Sequence, residues 1–394
     1  MNPDPFSPAR LNALALRNRF IRSGCFEGMC QDGNISAALI EHHRQLAAGG
    51  IAMTTVAYCS VSFDGRAFGH EMWMRPEIVS DLRQLTHAVH REGAAASIQL
   101  GHCGFFSNPR DIGRRPLGAS PRFCLFRLSV CRQMSEADIE EKIADFVRAA
   151  VLAREAGFDA VEIHAGHGYL LSQFISPWTN RRRDRYGGSL ENRLRFPLEV
   201  IRRVRAAVGA GFPILVKMNQ RDGFRGGLEL REALQVAQQF EAAGVDALVP
   251  SCGFTARTPL FMMRGNVPTV EMAAAQEQIL LRLGMSLFGW FMVQRYAFSP
   301  LFLLEGAQKI KQVVNIPVIY VGGVLSLEDA RRVLSAGLDF IQLGRATVRD
   351  PDFVLKLQRG ELAQSACDQC NRCIATMSAG GVNCVSLTDP WMPK

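Results

Sequence analysis

Residues 213–250 read PILVKMNQRDGFRGGLELREALQVAQQFEAAGVDALVP. An apolar run at Pro213–Met218, an amphipathic stretch at Leu230–Ala243 and a second apolar run at Ala247–Pro250 make one strand–helix–strand unit. Runs apolar at consecutive positions suit strands buried on both faces, and a helix between two of them makes the strands parallel.

Working outward, the same alternation recurs along the chain. Strands are expected at Arg19–Cys25, Ile51–Ala57, Ala95–Leu100 and Phe158–Ile163 before this unit, and at Pro317–Val321 and Phe340–Leu343 after it. Helices are expected at Ser36–Ala48, near Pro76–Arg91, from Ser135 onward, and near Leu190–Val208, Leu301–Val314, Leu327–Ala336 and Pro351–Leu357. At Ser135 the run Ser-Glu-Ala-Asp supplies an N-cap and an acidic first turn. Eight such strands predict an α/β fold, a TIM (β/α)8 barrel over residues 1–357, followed by a Cys-rich tail at 358–394. The rival, an open doubly wound sheet, lacks a Gly-x-Gly-x-x-Gly turn after any strand. Segments 101–134 and 252–300 are longer than connections require, and both follow strand C-termini, the face on which barrels carry their sites.

The chain of 394 residues has a net charge of +8, but its arginines are scattered and no basic run is interleaved with aromatics. That pattern argues against a nucleic-acid partner, and a phosphate-bearing ligand explains part of the excess. Residues 1–20 contain no apolar region of signal-peptide length, and Leu283–Gln294 is bounded by Arg282 and Arg295. A spanning helix needs about 20 apolar residues, so a cytoplasmic protein without a transmembrane segment is expected. In a reducing compartment the eleven cysteines point to thiols or metal ligands and not to a disulfide framework.

The chemistry concentrates in Glu162–Arg193, EIHAGHGYLLSQFISPWTNRRRDRYGGSLENR. It places His164, His167 and Tyr169 within six residues. Two neutral imidazoles and a phenol suit gripping and protonating a polarised carbonyl compound. A zinc site would want a helix holding the histidines in register and a following Glu, and Gly166 and Gly168 break that register. Core histidines with satisfied hydrogen bonds are the plainer alternative. Lys217 lies inside the apolar run ILVKM, where its charge must face the barrel mouth or find a partner. Gln99 ends strand three with an amide that both donates and accepts. Gly322-Gly323 and Gly344-Arg345 follow strands seven and eight, where barrels bind phosphate through backbone N–H groups and a nearby cation.

Residues 164–193, HAGHGYLLSQFISPWTNRRRDRYGGSLENR, resemble the signature of the Old Yellow Enzyme family of FMN-dependent ene reductases. The similarity runs from about Asn18 to Leu357 and includes LGRATVRDPDF at the end of the barrel. It implies FMN on the barrel mouth, lined by Ser23, Gly24, Cys25 and Ala57, with Gln99 and Lys217 at the pyrimidine. Gly322, Gly323, Gly344 and Arg345 would take the phosphate, and NAD(P)H would supply hydride. His164 and His167 would bind the carbonyl oxygen of an enone or enoyl thioester, and Tyr169 would protonate its α-carbon. Gly24 departs from the family, standing where many members have proline.

The tail carries Cys367, Cys370, Cys373 and Cys384, a spacing that signals a metal or an iron–sulfur centre. It resembles the [4Fe-4S] site of the 2,4-dienoyl-CoA reductase branch, with each of the last two gaps one residue shorter. Iron–sulfur, zinc and metal-free thiols all stay open. Leu280–Leu304, rich in Leu, Phe, Met and Trp, reads as a lid, an interfacial helix, an oligomer contact or a helix packed on its own barrel. Two further functions compete with C=C reduction. One is a flavoprotein dehydrogenase for amines or CH–CH bonds, passing electrons to a partner at the tail; the other is a flavin-binding redox sensor without turnover.

Overall fold

The computed structural model describes residues 4–276, 279–377 and 380–388; residues 1–3 and 389–394, at the ends of the expected barrel and tail, lie outside them. Eight strands make one sheet: β1 Phe20–Arg22, β2 Met53–Ser60, β3 Ala95–Gly101, β4 Ala160–Ala165, β5 Ile214–Asn219, β6 Ala247–Ser251, β7 Ile319–Val321 and β8 Phe340–Leu343. Neighbours are parallel throughout, in chain order from β1 to β6, with β8 beside β1 and β7 beside β8. The ring closes where Leu248 of β6 bridges Val318 and its N–H donates to the Pro317 carbonyl at 3.0 Å. The expected TIM barrel is the fold found.

The helices that follow the strands around the barrel are α1 Ala37–Ala48, α2 Val79–Arg91, α3 Glu136–Glu155, α4 Leu190–Val208, α5 Leu230–Ala242, α6 Leu304–Lys311, α7 Leu327–Ser335 and α8 Phe353–Arg359. Ser36, Ser135, Ser189 and Ser326 start four of them, each side chain accepting a backbone N–H three residues on. Each such cap is worth about 1 kcal/mol. The helix expected from Leu301 begins later, at Leu304, because Leu301 holds a left-handed φ of 55° that no helix accommodates.

Strand periodicity divides the core. Phe20, Val56, Ile98, Val161, Ile163 and Val216 pack outward with helix residues such as Leu39, Leu82, Phe146 and Val200. The alternate positions Ile21, Met53, Ala95, Ala160, Leu215, Ile319 and Phe340 form a second cluster. Leu11 and Leu16 complete it, carried by an N-terminal hairpin that pairs Ala9–Leu11 with Leu14–Leu16. Further along the same strands the positions of that second set turn polar: Gln99, Glu162, His164, Lys217 and Gln342 are all buried. A barrel that is apolar at one end and polar toward the strand C-termini has its reactive end marked by composition alone.

The two long insertions build over that end. The first holds short strand pairs, Leu117–Gly118 with Arg132–Gln133 and Phe123–Cys124 with Ser129–Val130. The second holds helices Thr269–Ala274 and Ile279–Met292. In the latter, Leu281 and Met285 pack on Leu260 and Ala273, while Leu280, Leu283, Leu287 and Phe288 are exposed. The segment therefore packs by one face on the rest of its own insertion and on Ile374 of the tail. Among the described residues no helix is long and apolar enough to cross a membrane.

Candidate active site

Strand register assembles the site. Glu162 lies opposite Gln99 of β3 and His164 opposite Lys217 of β5. The Glu162 carboxylate accepts from Gln99 Nε2 at 2.5 Å, from Gln342 Nε2 at 2.7 Å and from Lys217 Nζ at 2.9 Å. Lys217 also donates to Ser23 Oγ at 3.2 Å, and Ser23 donates to Gln342 Oε1 at 3.1 Å. A buried ammonium is tolerable only when paired, and here a carboxylate and two amides close the network around it.

His164, His167 and Tyr169 stand above that network. Gly166 N–H donates to His164 Nδ1 at 3.2 Å, so a neutral His164 carries its proton on Nε2. That proton points to His167 Nδ1, 3.2 Å away, which leaves the His167 proton on Nε2, facing Ser251 Oγ at 2.7 Å. Burial drives both histidines well below the ordinary imidazole range, His167 to about 3, with Lys217 adding to the effect and His167 itself acting on His164. Both are therefore neutral around pH 7. His167 is fixed by the Asn219 amide oxygen on its N–H at 2.9 Å and holds a left-handed φ of 56°. The Tyr169 ring meets His164 edge-on at 4.9 Å, and burial, with Cys103 and Glu71 next, pushes its phenol above the usual range. It keeps its proton at neutral pH.

These groups open on a cavity of about 380 Å³. One end is walled by Gly322, Gly323, Gly344 and Arg345; the two consecutive glycines hold φ of 135° and 74°, which only glycine adopts as a pair at little cost. Among the described residues Arg345 donates through Nη1 alone, to the Met263 and Arg264 carbonyls and to Asn371 Oδ1 at 2.6 Å. The middle is walled by Ser23, Gly24, Cys25, Gln99 and Lys217. A Cβ on Gly24 would stand 2.8 Å from Gln99 Nε2, so glycine at this position is what lets the Gln99 amide come close. The far end is aromatic, with Phe26, Tyr58, Phe68, Phe106 and Phe126, and includes Arg127.

Every expected cofactor residue but Ala57 lines this cavity; Ala57 sits behind the wall, where a Cβ on Gly24 would lie 3.3 Å from its methyl, and Tyr58 takes the surface position. The cysteines behave differently. Among the described residues no three His, Cys, Asp or Glu side chains are gathered to share a metal, and for Cys367, Cys370, Cys373 and Cys384 iron–sulfur, zinc and metal-free thiols all stay open. Their loop is held by protein groups: Gln369 and Asn371 are left-handed, and Asn371 Nδ2 donates to Met263 O at 2.7 Å and Asn266 O at 2.9 Å. The tail reaches the cavity through Ile374, Ala375 and Met377.

Several residues that shape the site escaped the sequence reading. Glu162 had the same signal as Lys217, one charge inside an apolar strand, and sits two positions before His164 and so on the same strand face. Ser251, Tyr58, Gln342 and Arg127 gave none, since each is placed by tertiary contacts alone.

Comparison with known proteins matches this geometry to a family. The NADH:flavin oxidoreductase / NADH oxidase family model matches residues 4–258. A model described as histidine biosynthesis protein matches residues 303–367, which span α6 to α8 and so belong to the barrel's last units. The chain is 38% identical over 379 residues to the 4,4'-dithiodibutanoate disulfide reductase of Rhodococcus erythropolis, covering 96% of this chain and 94% of that protein. It is 34% identical to the NADH oxidase of Thermoanaerobacter brockii, over 94% of this chain and 53% of the relative. The structure of 2-naphthoyl-CoA reductase has the same fold, with a TM-score of 0.82 at 23% identity over 97% of this chain and 56% of the other. The chain thus spans about half the length of the latter two proteins. By the family match and by similarity along nearly all of a full-length relative, the chain belongs to the NADH:flavin oxidoreductase / NADH oxidase family, of Old Yellow Enzyme type, and is an oxidoreductase.

Proposed function

We propose that this enzyme uses FMN and NAD(P)H to reduce the C=C bond of α,β-unsaturated carbonyl compounds. The observation that carries the reading is the neutral His164–His167 pair beside a protonated Tyr169 on the wall of a mainly apolar cavity. Gln99 and Lys217 would hold the flavin pyrimidine, and Gly322, Gly323, Gly344 and Arg345 its phosphate. The residues fit that group: the glycine loops leave room for close approach, and Arg345 keeps Nε and Nη2 without a hydrogen-bond partner among the described residues. The chemistry that FMN would supply when bound there is hydride transfer to the carbon β to the carbonyl.

The protein's part is orientation and proton placement. His164 gives its Nε2–H to the substrate oxygen in place of His167. His167 does the same from Nδ1 once the Ser251 hydroxyl reverses, since a hydroxyl both donates and accepts. Two fixed donors on that oxygen stabilise negative charge as it develops, a contribution of about 3–4 kcal/mol per donor in comparable sites. Tyr169 delivers the proton to the α-carbon. A cationic amine would find no carboxylate on the described cavity wall, which favours reduction of carbonyl compounds over amine oxidation. The tail cysteines carry no electron-transfer step in this scheme.

A second reading, reduction of a disulfide, is favoured by the activity named for the Rhodococcus relative and by Cys25 on the cavity wall. Anaerobic stopped-flow separates the two. Enzyme reduced by NAD(P)H is mixed with 2-cyclohexenone, cinnamaldehyde or 4,4'-dithiodibutanoate, and flavin reoxidation is followed. Fast reoxidation by the enones supports the proposal; reoxidation by the disulfide alone replaces it.

A further inference from the structure

The charges on the cavity wall are of one sign. Lys217, Arg345 and Arg127 line it, and among the described lining residues there is no aspartate or glutamate. Lys217 is balanced from behind by Glu162 at 2.9 Å. Arg345 stands at the glycine loops proposed for the phosphate, with one nitrogen tied to Asn371. Arg127 has neither arrangement.

Arg127 comes from the insertion after β3 and stands over two rings, its Cζ 4.5 Å from the Phe106 centroid and 5.0 Å from that of Phe68. Nε donates to the Phe106 carbonyl at 3.0 Å, which fixes the guanidinium plane. Nη1 and Nη2 have no hydrogen-bond partner and no ion pair among the described residues. Glu71 feels this charge, but burial raises its carboxyl to about 8, and its Oε2 accepts from Ala67 N–H at 2.8 Å, so it offers little negative charge near pH 7. The Phe106 ring is 6.3 Å from the Tyr169 ring. A fork of free donors therefore stands one aromatic ring from the proton donor, in a wall otherwise made of Phe26, Phe68 and Phe126.

We propose that Arg127 binds a carboxylate of the substrate, so that the preferred acceptor is an unsaturated carbonyl compound carrying a carboxylate at its other end. The inference rests on the reading of His164 and His167 as the carbonyl-binding pair. A guanidinium already held over two rings and bonded at Nε loses little freedom when it takes a carboxylate in its remaining fork. The phosphates of an enoyl-CoA are the other anions that could reach a guanidinium. They sit many bonds from the reacting carbonyl, whereas one ring of separation suits a carboxylate within the same small molecule.

The test uses FMN-loaded enzyme and ligands that differ in one group. 4-Hydroxybenzoate and 3-(4-hydroxyphenyl)propanoate, each paired with its amide, are titrated at pH 7 by isothermal calorimetry and by the flavin charge-transfer band. At least one acid is expected to bind about 10- to 100-fold more tightly than its amide, the range for hydrogen bonds to a charged partner. Arg127→Gln should erase that ratio, and Arg127→Lys should restore part of it. Equal affinity of acids and amides in the parent enzyme, or a ratio that survives Arg127→Gln, overturns the proposal. If no phenol binds at all, the carbonyl-binding reading falls and this inference with it. A ratio that appears only for 3′-phosphate-bearing CoA thioesters over their dephospho forms, and never for the acids, would assign Arg127 to phosphate instead.

Discussion

Tyr169 has no ion pair among the described residues; rings crowd its phenol, Thr255 is its hydrogen-bonding neighbour, and burial keeps it protonated. That environment suits a group that gives its proton once per turnover to a carbon and regains it from solvent. Tyr169→Phe is expected to leave flavin reduction by NAD(P)H at the parent rate and to slow alkene reduction by about 10²- to 10⁴-fold, the usual worth of general acid catalysis. Stopped-flow measurement of the two half-reactions checks it, and a slowed first half-reaction would place Tyr169 in nicotinamide binding instead. The histidines, Tyr169 and Lys217 were legible as residue types in a short run and in one apolar strand. Their partners were not. Ser251, which partners His167 Nε2 in either tautomer, lies 84 positions along the chain and is an ordinary serine at a strand end until the barrel closes.

Among the elements, the barrel strands could be read because burial on both faces leaves uninterrupted apolar runs, and the helices because serine caps mark where four of them start. The insertions could not be read, since strands of two residues such as Phe123–Cys124 carry no period. In the tail the cysteine spacing is metal-like, and Asn371, between Cys370 and Cys373, gave no signal although it makes contacts that hold the loop to Met263, Asn266 and Arg345. Asn371→Ala removes three hydrogen bonds, each worth about 1 kcal/mol net. Trypsin is expected to cleave the variant faster near Arg372 while the barrel stays intact by mass spectrometry. A cleavage rate equal to the parent's would mean that the tail is anchored elsewhere.

For the molecule as a whole, burial of histidine has a cost on acidification. His42, His43, His164 and His167 are all driven down mainly by burial, His43 and His167 to about 3. Below about pH 6.5 the unfolded chain takes up protons at these positions that the native state refuses, at His43 and His167 until about 3, so stability falls with falling pH, by up to about 1.4 kcal/mol per unit for each group. Glu27 and Glu71 act in the opposite sense, because their raised values, about 8 for Glu71, make the native state the proton binder above the ordinary carboxylate range of about 4.5. The midpoint of thermal unfolding should therefore decline from pH 6.5 and drop more steeply below about 4.5, where that opposition ends. A midpoint constant from pH 7 to 4 would contradict the neutral burial of these histidines.

The same neutrality underlies the central claim, that His164 and His167 are a carbonyl-oxygen clamp facing a flavin. Absorbance titration of the FMN-loaded enzyme with 4-chlorophenol, in the parent and in the His164→Ala/His167→Ala variant, tests it most directly. The prediction is a long-wavelength charge-transfer band in the parent that is lost in the variant while the flavin stays bound. An unchanged band and affinity in the variant would contradict it.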